Sequence, residues 1–427
     1  MRNVAVIGGG LTGLTCAYRL IQKGFAVDVF ELQDALGGLC RSFSFHNEKI
    51  PYSPHQFFRQ DLYLLGLINE FSLPIYWGTS VAAIYDGNTN RSFRLTSPTD
   101  ILNFSILSPI DRLKLGLFAA RLRLAKITGE KYNNLSRENA ASWLRRETND
   151  TICRNFFEPL LFNKFSIPLA HLSAEWIATR LREELGTGRV WGYIDGGMQS
   201  LIDELESRIS LHNKIYTSCS VRKIQIERRQ VRAIEFVQGK KLEKKKYSAI
   251  VSTVPIPQLL SAVDSFPADF QSRMSSIDYS PYIGAVILCS QKLTKYHVSY
   301  YVNSDIGGIN EFTNFYRRHE KHIIYVFKYL NNSDRLWDKD DISIEAAYRN
   351  TLFRAYGQFR IDRMLIVREK YASPVFGINY PQAVPPIVTP IKGLYLAGMF
   401  SVYPKERNLD SAVMAGEKAA EIIAKYN

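Results

Sequence analysis

The sequence predicts an α/β fold that opens on a parallel βαβ unit, and three features of its first residues predict it. The apolar run Val4-Ala5-Val6-Ile7 feeds directly into Gly8-Gly9-Gly10-Leu11-Thr12-Gly13, and a second strand-like run, Val27-Asp28-Val29-Phe30, ends on Glu31. A strand, a glycine turn that opens a helix, and a carboxylate roughly 20 residues further on form the fingerprint of a dinucleotide site. Gly8 makes the tight turn, Gly10 lets the backbone approach a pyrophosphate, and Gly13 lets the helix pack closely on the strand. The helix start at Leu11 and Thr12 then presents its positive end and unpaired N–H groups to the phosphates. Glu31 is placed to accept from ribose hydroxyls, and its charge disfavours a 2′-phosphate.

The fingerprint alone does not separate NAD from FAD, so the segment after Glu31 matters. Leu32 is followed by a second glycine pair in Leu36-Gly37-Gly38-Leu39-Cys40-Arg41-Ser42. These glycines, with the guanidinium of Arg41 and the hydroxyl of Ser42, can wrap the far side of a pyrophosphate, Arg41 supplying charge-assisted hydrogen bonds. Together with Pro51-Tyr52-Ser53-Pro54-His55-Gln56-Phe57, this stretch resembles the FAD-binding opening of the amine oxidase, protoporphyrinogen oxidase and phytoene desaturase superfamily.

The resemblance is patchy but runs end to end. Phe156 to Phe165 and Leu172 to Arg180 are similar to substrate-domain helices of a bacterial and archaeal protoporphyrinogen oxidase-like branch. Gly192 to Met198 is similar to the glycine turn that returns the chain to the FAD domain, and Gly393 to Met399 with Tyr403 to Gly416 is similar to the family's closing segment. The resemblance implies FAD as cofactor, Val221 near the adenine, Pro54, His55 and Gln56 near the isoalloxazine, and Gly398, Met399, Leu409 and Ala412 along the rest of the flavin. Two positions depart from the family. Leu39 stands where many members place Arg or Lys directly after the glycine pair, and Met399 stands where a Glu, Asp or Asn often meets the ribityl chain, leaving only its backbone as a contact.

The resemblance also implies an FAD-binding Rossmann-like domain of the glutathione reductase type, intertwined with an α+β substrate domain. The expected division is 1–85, 190–260 and 376–427 for the FAD domain, with 86–189 as the helical part and 261–375 as the sheet part of the substrate domain. The stretch from Asn88 to about Gly188 reads as mostly helical, with Ser97-Pro98-Thr99-Asp100 and Ser108-Pro109-Ile110-Asp111 as capped starts. Alternation marks 215–226 and 231–237 as strands, and 278–293, 299–303 and 323–330 as strands of the substrate-domain sheet.

With 427 residues, 46% of them hydrophobic, the chain can bury more than one core, and no run approaches the roughly 18 apolar residues of a membrane span. The first apolar run is short and already used as a strand, so no signal peptide is read and a cytoplasmic protein is expected. Cys16, Cys40, Cys153, Cys219 and Cys289 are scattered and odd in number, against a disulfide framework or a zinc site, and no metal is expected. Cys40, beside the flavin loop, is either a packed thiol or a reactive one.

The formal net charge of +13 asks where the cations sit. Arg112, Lys114, Arg121, Arg123 and Lys126 alternate with leucines in a helical pattern, which fits a domain helix with a solvated basic face or a helix lying on an anionic membrane surface. Lys240 to Lys246 reads as a loop or hairpin tip. Neither cluster interleaves aromatics on a nucleic-acid-binding fold, so no nucleic-acid partner is expected.

For chemistry, flavin carries two-electron transfer and the protein positions the substrate and excludes water. His55 is the candidate polar contact or proton acceptor, the alternative being a hydrogen bond to flavin or backbone only. Lys164 lies in an otherwise apolar stretch, as a substrate-facing cation or as the partner of Glu158. Tyr403, Lys405 and Arg407 can reach the pyrophosphate or an acidic substrate, or are solvated loop charge. Three functions follow: an FAD-dependent oxidoreductase acting on an apolar or ring-containing small molecule, with oxygen or a quinone as acceptor; a redox-neutral flavin mutase of the UDP-galactopyranose mutase type; or a non-catalytic FAD-binding protein.

Overall fold

The structure, a computed structural model, describes residues 3–45, 48–128, 135–186, 189–264, 266–331 and 333–426; the side chains of 98, 126–128, 164 and 185 lie outside the described set. Its centre is a five-stranded parallel sheet in the order Leu394–Leu396, Ala249–Ser252, β1 (Asn3–Ile7), β2 (Ala26–Phe30), Lys214–Tyr216. β1 is paired on both sides, Val4 lying opposite both Ala249 and Val27. Helices cover the sheet, which is why β1 reads as a continuous apolar run and not as an alternating one. Helix α1 (Leu11–Gln22) buries Leu14, Cys16, Ala17 and Leu20 completely and packs along the helix Leu409–Tyr426. That packing is close. A Cβ on Gly416 would fall 2.5 Å from the Thr12 carbonyl oxygen.

The segment read as one strand over 215–226 is two strands in two sheets. After Tyr216 the chain turns at Ser218, in a left-handed conformation with φ 48°, and enters an antiparallel sheet of Cys219–Glu227, Gln230–Gln238 and Lys241–Lys246. Of the lysine run read as a loop or hairpin tip, only Lys240 is in the turn, with Gly239, and Lys241–Lys246 forms the edge strand of that sheet. Lysines on a sheet edge discourage pairing with another chain.

A seven-stranded sheet runs in the order Ile361–Pro374, Tyr279–Cys289, His322–Tyr329, Gly308–Glu311, Val298–Val302, Ala82–Asp86, Arg91–Arg94. Its three expected strands are present with shifted ends. Arg91–Arg94 falls in the stretch expected as mostly helical, and Ile361–Pro374 has no counterpart in the sequence reading. Beside this sheet stand the helices Pro109–Thr128, Ala140–Glu147, Glu158–Phe165 and Ala174–Gly186. The first starts at Pro109 as expected, the Asp111 N–H donating to Ser108 Oγ at 3.2 Å. Among the described residues no helix is long and apolar enough to cross a membrane.

Candidate active site

The carboxyl ends of the parallel strands open into a cavity of about 770 Å³. The glycines that shape it have different physical tasks. A Cβ on Gly13 would lie 2.0 Å from the Gly8 carbonyl oxygen, and one on Gly8 would lie 2.6 Å from Thr253 Oγ1, so both positions are closed by packing. A Cβ on Gly10 would meet only the Gly38 Cα, at 3.9 Å, and otherwise enter open space. The second glycine pair folds over the first, with the Gly37 N–H donating to the Gly9 carbonyl at 2.8 Å and both Gly37 and Gly38 at positive φ. No side chain caps α1, and Gly10, Leu11 and Thr12 line the cavity, so the helix start is open to an anion.

Glu31 closes the other end of the fingerprint. It is 8% exposed; its Oε2 accepts from the Gly9 N–H at 2.7 Å and its Oε1 from the Gln33 N–H at 2.8 Å. Each oxygen keeps a further lone pair for a hydroxyl. Arg41 lines the cavity and crosses to the strand Ile361–Pro374, where its Nη2 meets Glu369 Oε1 at 2.6 Å; its Nε is buried with no partner among the described residues. A glycine cradle, an uncapped helix start, a buried carboxylate and an orphaned guanidinium donor fit a dinucleotide with free ribose hydroxyls.

His55 also lines the cavity. Its Nδ1 lies 2.9 Å from the Ser53 carbonyl, so Nδ1 carries the proton and Nε2 is left as an acceptor. Burial lowers its pKa below the ordinary value, keeping the ring neutral. Gln56 has a different environment: its Nε2 lies 3.0 Å from His297 Nε2, and His297 Nδ1 lies 2.7 Å from Ser80 Oγ. His297 stacks on Phe315 at 4.8 Å, and burial lowers its pKa to about 3.

Of the expected cofactor residues, the cavity brings together Gly8, Gly10, Leu11, Thr12, Gly13, Glu31, Leu32, Gly37, Gly38, Leu39, Arg41, His55, Val221, Gly398, Met399, Leu409 and Ala412. Ser42, Pro54 and Gln56 are not among its lining residues. The Lys164 side chain lies outside the described residues, and Glu158, weighed as its partner, pairs with Arg145 at 2.8 Å. Tyr403 and Lys405 do not line the cavity, whereas Arg407 does, its guanidinium stacked 4.5 Å from the Trp176 ring. Burial lowers Arg407 to about 10, still protonated at neutral pH. Cys40 is a packed thiol, since burial pushes it up to about 12.

Sequence reasoning missed Thr253, Val254, Tyr279, Glu369, Tyr371 and Pro374, all on the cavity wall. A signal existed for the first two, which directly follow a buried strand of the parallel sheet, at the end where such sheets bind ligands.

The model of the family described as flavin containing amine oxidoreductase matches residues 11–424. The chain belongs to this family. FAD is accordingly its cofactor, and the cavity described above has the donors and the space for it. Among solved structures, a putative protoporphyrinogen oxidase from Exiguobacterium sp. 255-15 superposes with a TM-score of 0.79 at 17% identity, covering 100% of this chain and 99% of that one. Reduced UDP-galactopyranose mutase superposes with a TM-score of 0.76 at 18% identity, covering 100% and 96%. At these identities the likeness is one of fold. Coproporphyrinogen III oxidase of Staphylococcus aureus is 25% identical over 184 residues, 40% of this chain and 38% of that protein. Matches to curated relatives span between 21% and 38% of those proteins' lengths.

Proposed function

We propose that this flavin amine oxidoreductase-family protein removes two electrons from a carbon-bound hydrogen of an apolar or ring-containing small molecule. The supporting observation is that one cavity is lined both by the glycine cradle and by the large apolar and aromatic side chains Tyr279, Tyr371, Met399 and Phe400. Bound FAD supplies the two-electron acceptor, and oxygen or a quinone then takes the electrons.

The chain's own residues hold, orient and exclude water. Gly10, Leu11 and Thr12 receive the pyrophosphate on a turn that Gly8 and Gly13 let pack closely, Glu31 the ribose hydroxyls, and Val221 the adenine. Gly37, Gly38, Leu39 and Arg41 fold over the phosphates, and Gly398, Met399, Leu409 and Ala412 close on the flavin. His55, neutral and with Nε2 as acceptor, would take the proton from the neighbouring X–H bond that the substrate loses along with its C–H bond; its Nδ1–H bond to Ser53 fixes the tautomer.

A second reading, a redox-neutral sugar mutase, draws on the full-length superposition with UDP-galactopyranose mutase and on four cations, Arg41, Arg222, Lys370 and Arg407, along the same cavity. Anaerobic mixing decides between them. Oxidised holoenzyme mixed with coproporphyrinogen III, the compound that the staphylococcal relative is named for, should lose its visible flavin band in one turnover. No bleaching, with UDP-galactopyranose converted only after dithionite reduction, would assign the mutase reaction instead.

A further inference from the structure

The helix Pro109–Thr128 carries two apolar faces. Leu115, Phe118 and Leu122 are each 3% exposed and pack into the core beside the helix Ala174–Gly186. Ile110, Leu113 and Leu117, spaced three and four residues apart on another face, remain 69%, 63% and 57% exposed. Leu102, 62% exposed, lies in the turn just before, where its carbonyl accepts from Arg112 Nη1 at 2.6 Å. A surface helix ordinarily places polar residues on the face turned from the core. Here leucine and isoleucine occupy it.

The helix's own charges that border this row have one sign. At 3.6 residues per turn, Lys114 and Arg121 border it on one side and Arg112 and Arg123 on the other. Arg112 is anchored to backbone carbonyls and Arg121 leans on Glu147 at 3.8 Å, while Lys114 and Arg123 are exposed. The helix's one acidic residue, Asp111, is taken up by Ser108 and Asn149. An aliphatic row between two cationic borders matches the boundary between acyl chains and anionic headgroups.

We infer that this helix is an interfacial anchor. Ile110, Leu113 and Leu117 enter the headgroup–acyl boundary of an anionic bilayer, and the flanking Lys and Arg side chains meet the lipid phosphates. The solvated basic face weighed from sequence is thus a basic rim around an apolar row. The inference is independent of which reaction the cavity performs.

The test is co-sedimentation of the FAD-loaded protein with vesicles of phosphatidylglycerol and phosphatidylcholine, against vesicles of phosphatidylcholine alone. Binding is expected only with phosphatidylglycerol, weakening as salt rises from about 0.05 M to about 0.5 M. The double variant Leu113→Ser/Leu117→Ser should partition at least about tenfold less, with unchanged flavin content and melting temperature. Lys114→Ser/Arg123→Ser should bind more weakly and with a flatter salt dependence. Absence of binding at low salt, or parental binding by the Leu113→Ser/Leu117→Ser protein, overturns the inference. So does a dimer in light scattering that the serine variant converts to monomer, since the row would then be a self-association face.

Discussion

Replacing Gly10 by valine should separate the cofactor cradle from the scaffold that carries it. Gly10 has φ −77° and ψ 175°, an extended conformation open to any residue, and a Cβ there has no close protein neighbour. The apoprotein should therefore lose no more than about 1 kcal/mol, the span between good and poor residues at a helix start. FAD binding should suffer far more, because the branched side chain would stand where a phosphate approaches the Leu11 and Thr12 N–H groups. Two hydrogen bonds to a charged oxygen, at roughly 1.5–3 kcal/mol each, amount to about 3–6 kcal/mol, or about 10²–10⁴ in Kd. Flavin-fluorescence titration of apoprotein gives the Kd, and the apoprotein melting curve gives the scaffold's share. Gly13→Ala is the contrasting variant. Its Cβ would lie 2.0 Å from a carbonyl oxygen and 2.9 Å from Thr253 Oγ1, so it should lose about 1–3 kcal/mol of fold stability or more. If Gly10→Val binds FAD within about threefold of the parent, or melts as low as Gly13→Ala, the division of labour between the two glycines is wrong.

His55→Ala should keep its FAD and slow flavin reduction by about 10²-fold, read by stopped flow; a loss under about tenfold would refute proton transfer by this ring. Because burial lowers the His55 pKa, the parental rate should be level above neutrality, and an acid limb centred above the ordinary value of 6.5 would contradict the neutral assignment. His297 gives a stability prediction. Its pKa is about 3 in the fold against 6.5 ordinarily, so between these values the unfolded chain binds the extra proton. Its contribution is whole above pH 6.5 and declines as pH falls toward 3, at up to about 1.4 kcal/mol per pH unit. His297→Asn should flatten the acid side of a urea-denaturation profile, and equal slopes in both proteins would refute it. Asp61 and Glu311, pushed up to about 7 by burial, act in the opposite sense, favouring the fold at low pH. They are common to both proteins and cancel in the difference.

The opening of the site was legible because its chemistry is local. Gly8, Gly10, Gly13 and Glu31 must stand at particular spacings along one βαβ unit, and a short stretch of sequence displays them. Glu369 was not legible as the partner of Arg41, because 328 residues separate them and no periodicity links them. Its strand, Ile361–Pro374, is mostly half-buried and carries charges at successive positions, which erases the alternation by which strands are read. The lysine strand Lys241–Lys246 is exposed at five of its six residues, so no apolar face announced it. Gln56 and His55 were read together as flavin neighbours, yet adjacent residues of an extended segment face opposite ways. One lines the cavity and the other meets His297.

The strand order of the parallel sheet sets a timetable for synthesis. β1 finds one neighbour, β2, almost at once, but its other neighbour is Ala249–Ser252, and the strand beyond that is Leu394–Leu396. At roughly 5–20 residues per second, a ribosome takes on the order of half a minute to deliver the second neighbour and longer for the last. Throughout that interval an apolar strand with an unpaired edge stays exposed, a hazard for sticking to other chains. Helix Leu409–Tyr426, which packs against α1, arrives later still. The cofactor cradle is therefore begun early and completed late, and a nascent chain stopped before Leu394 holds the glycine fingerprint without the wall that Gly398, Met399, Arg407, Leu409 and Ala412 supply.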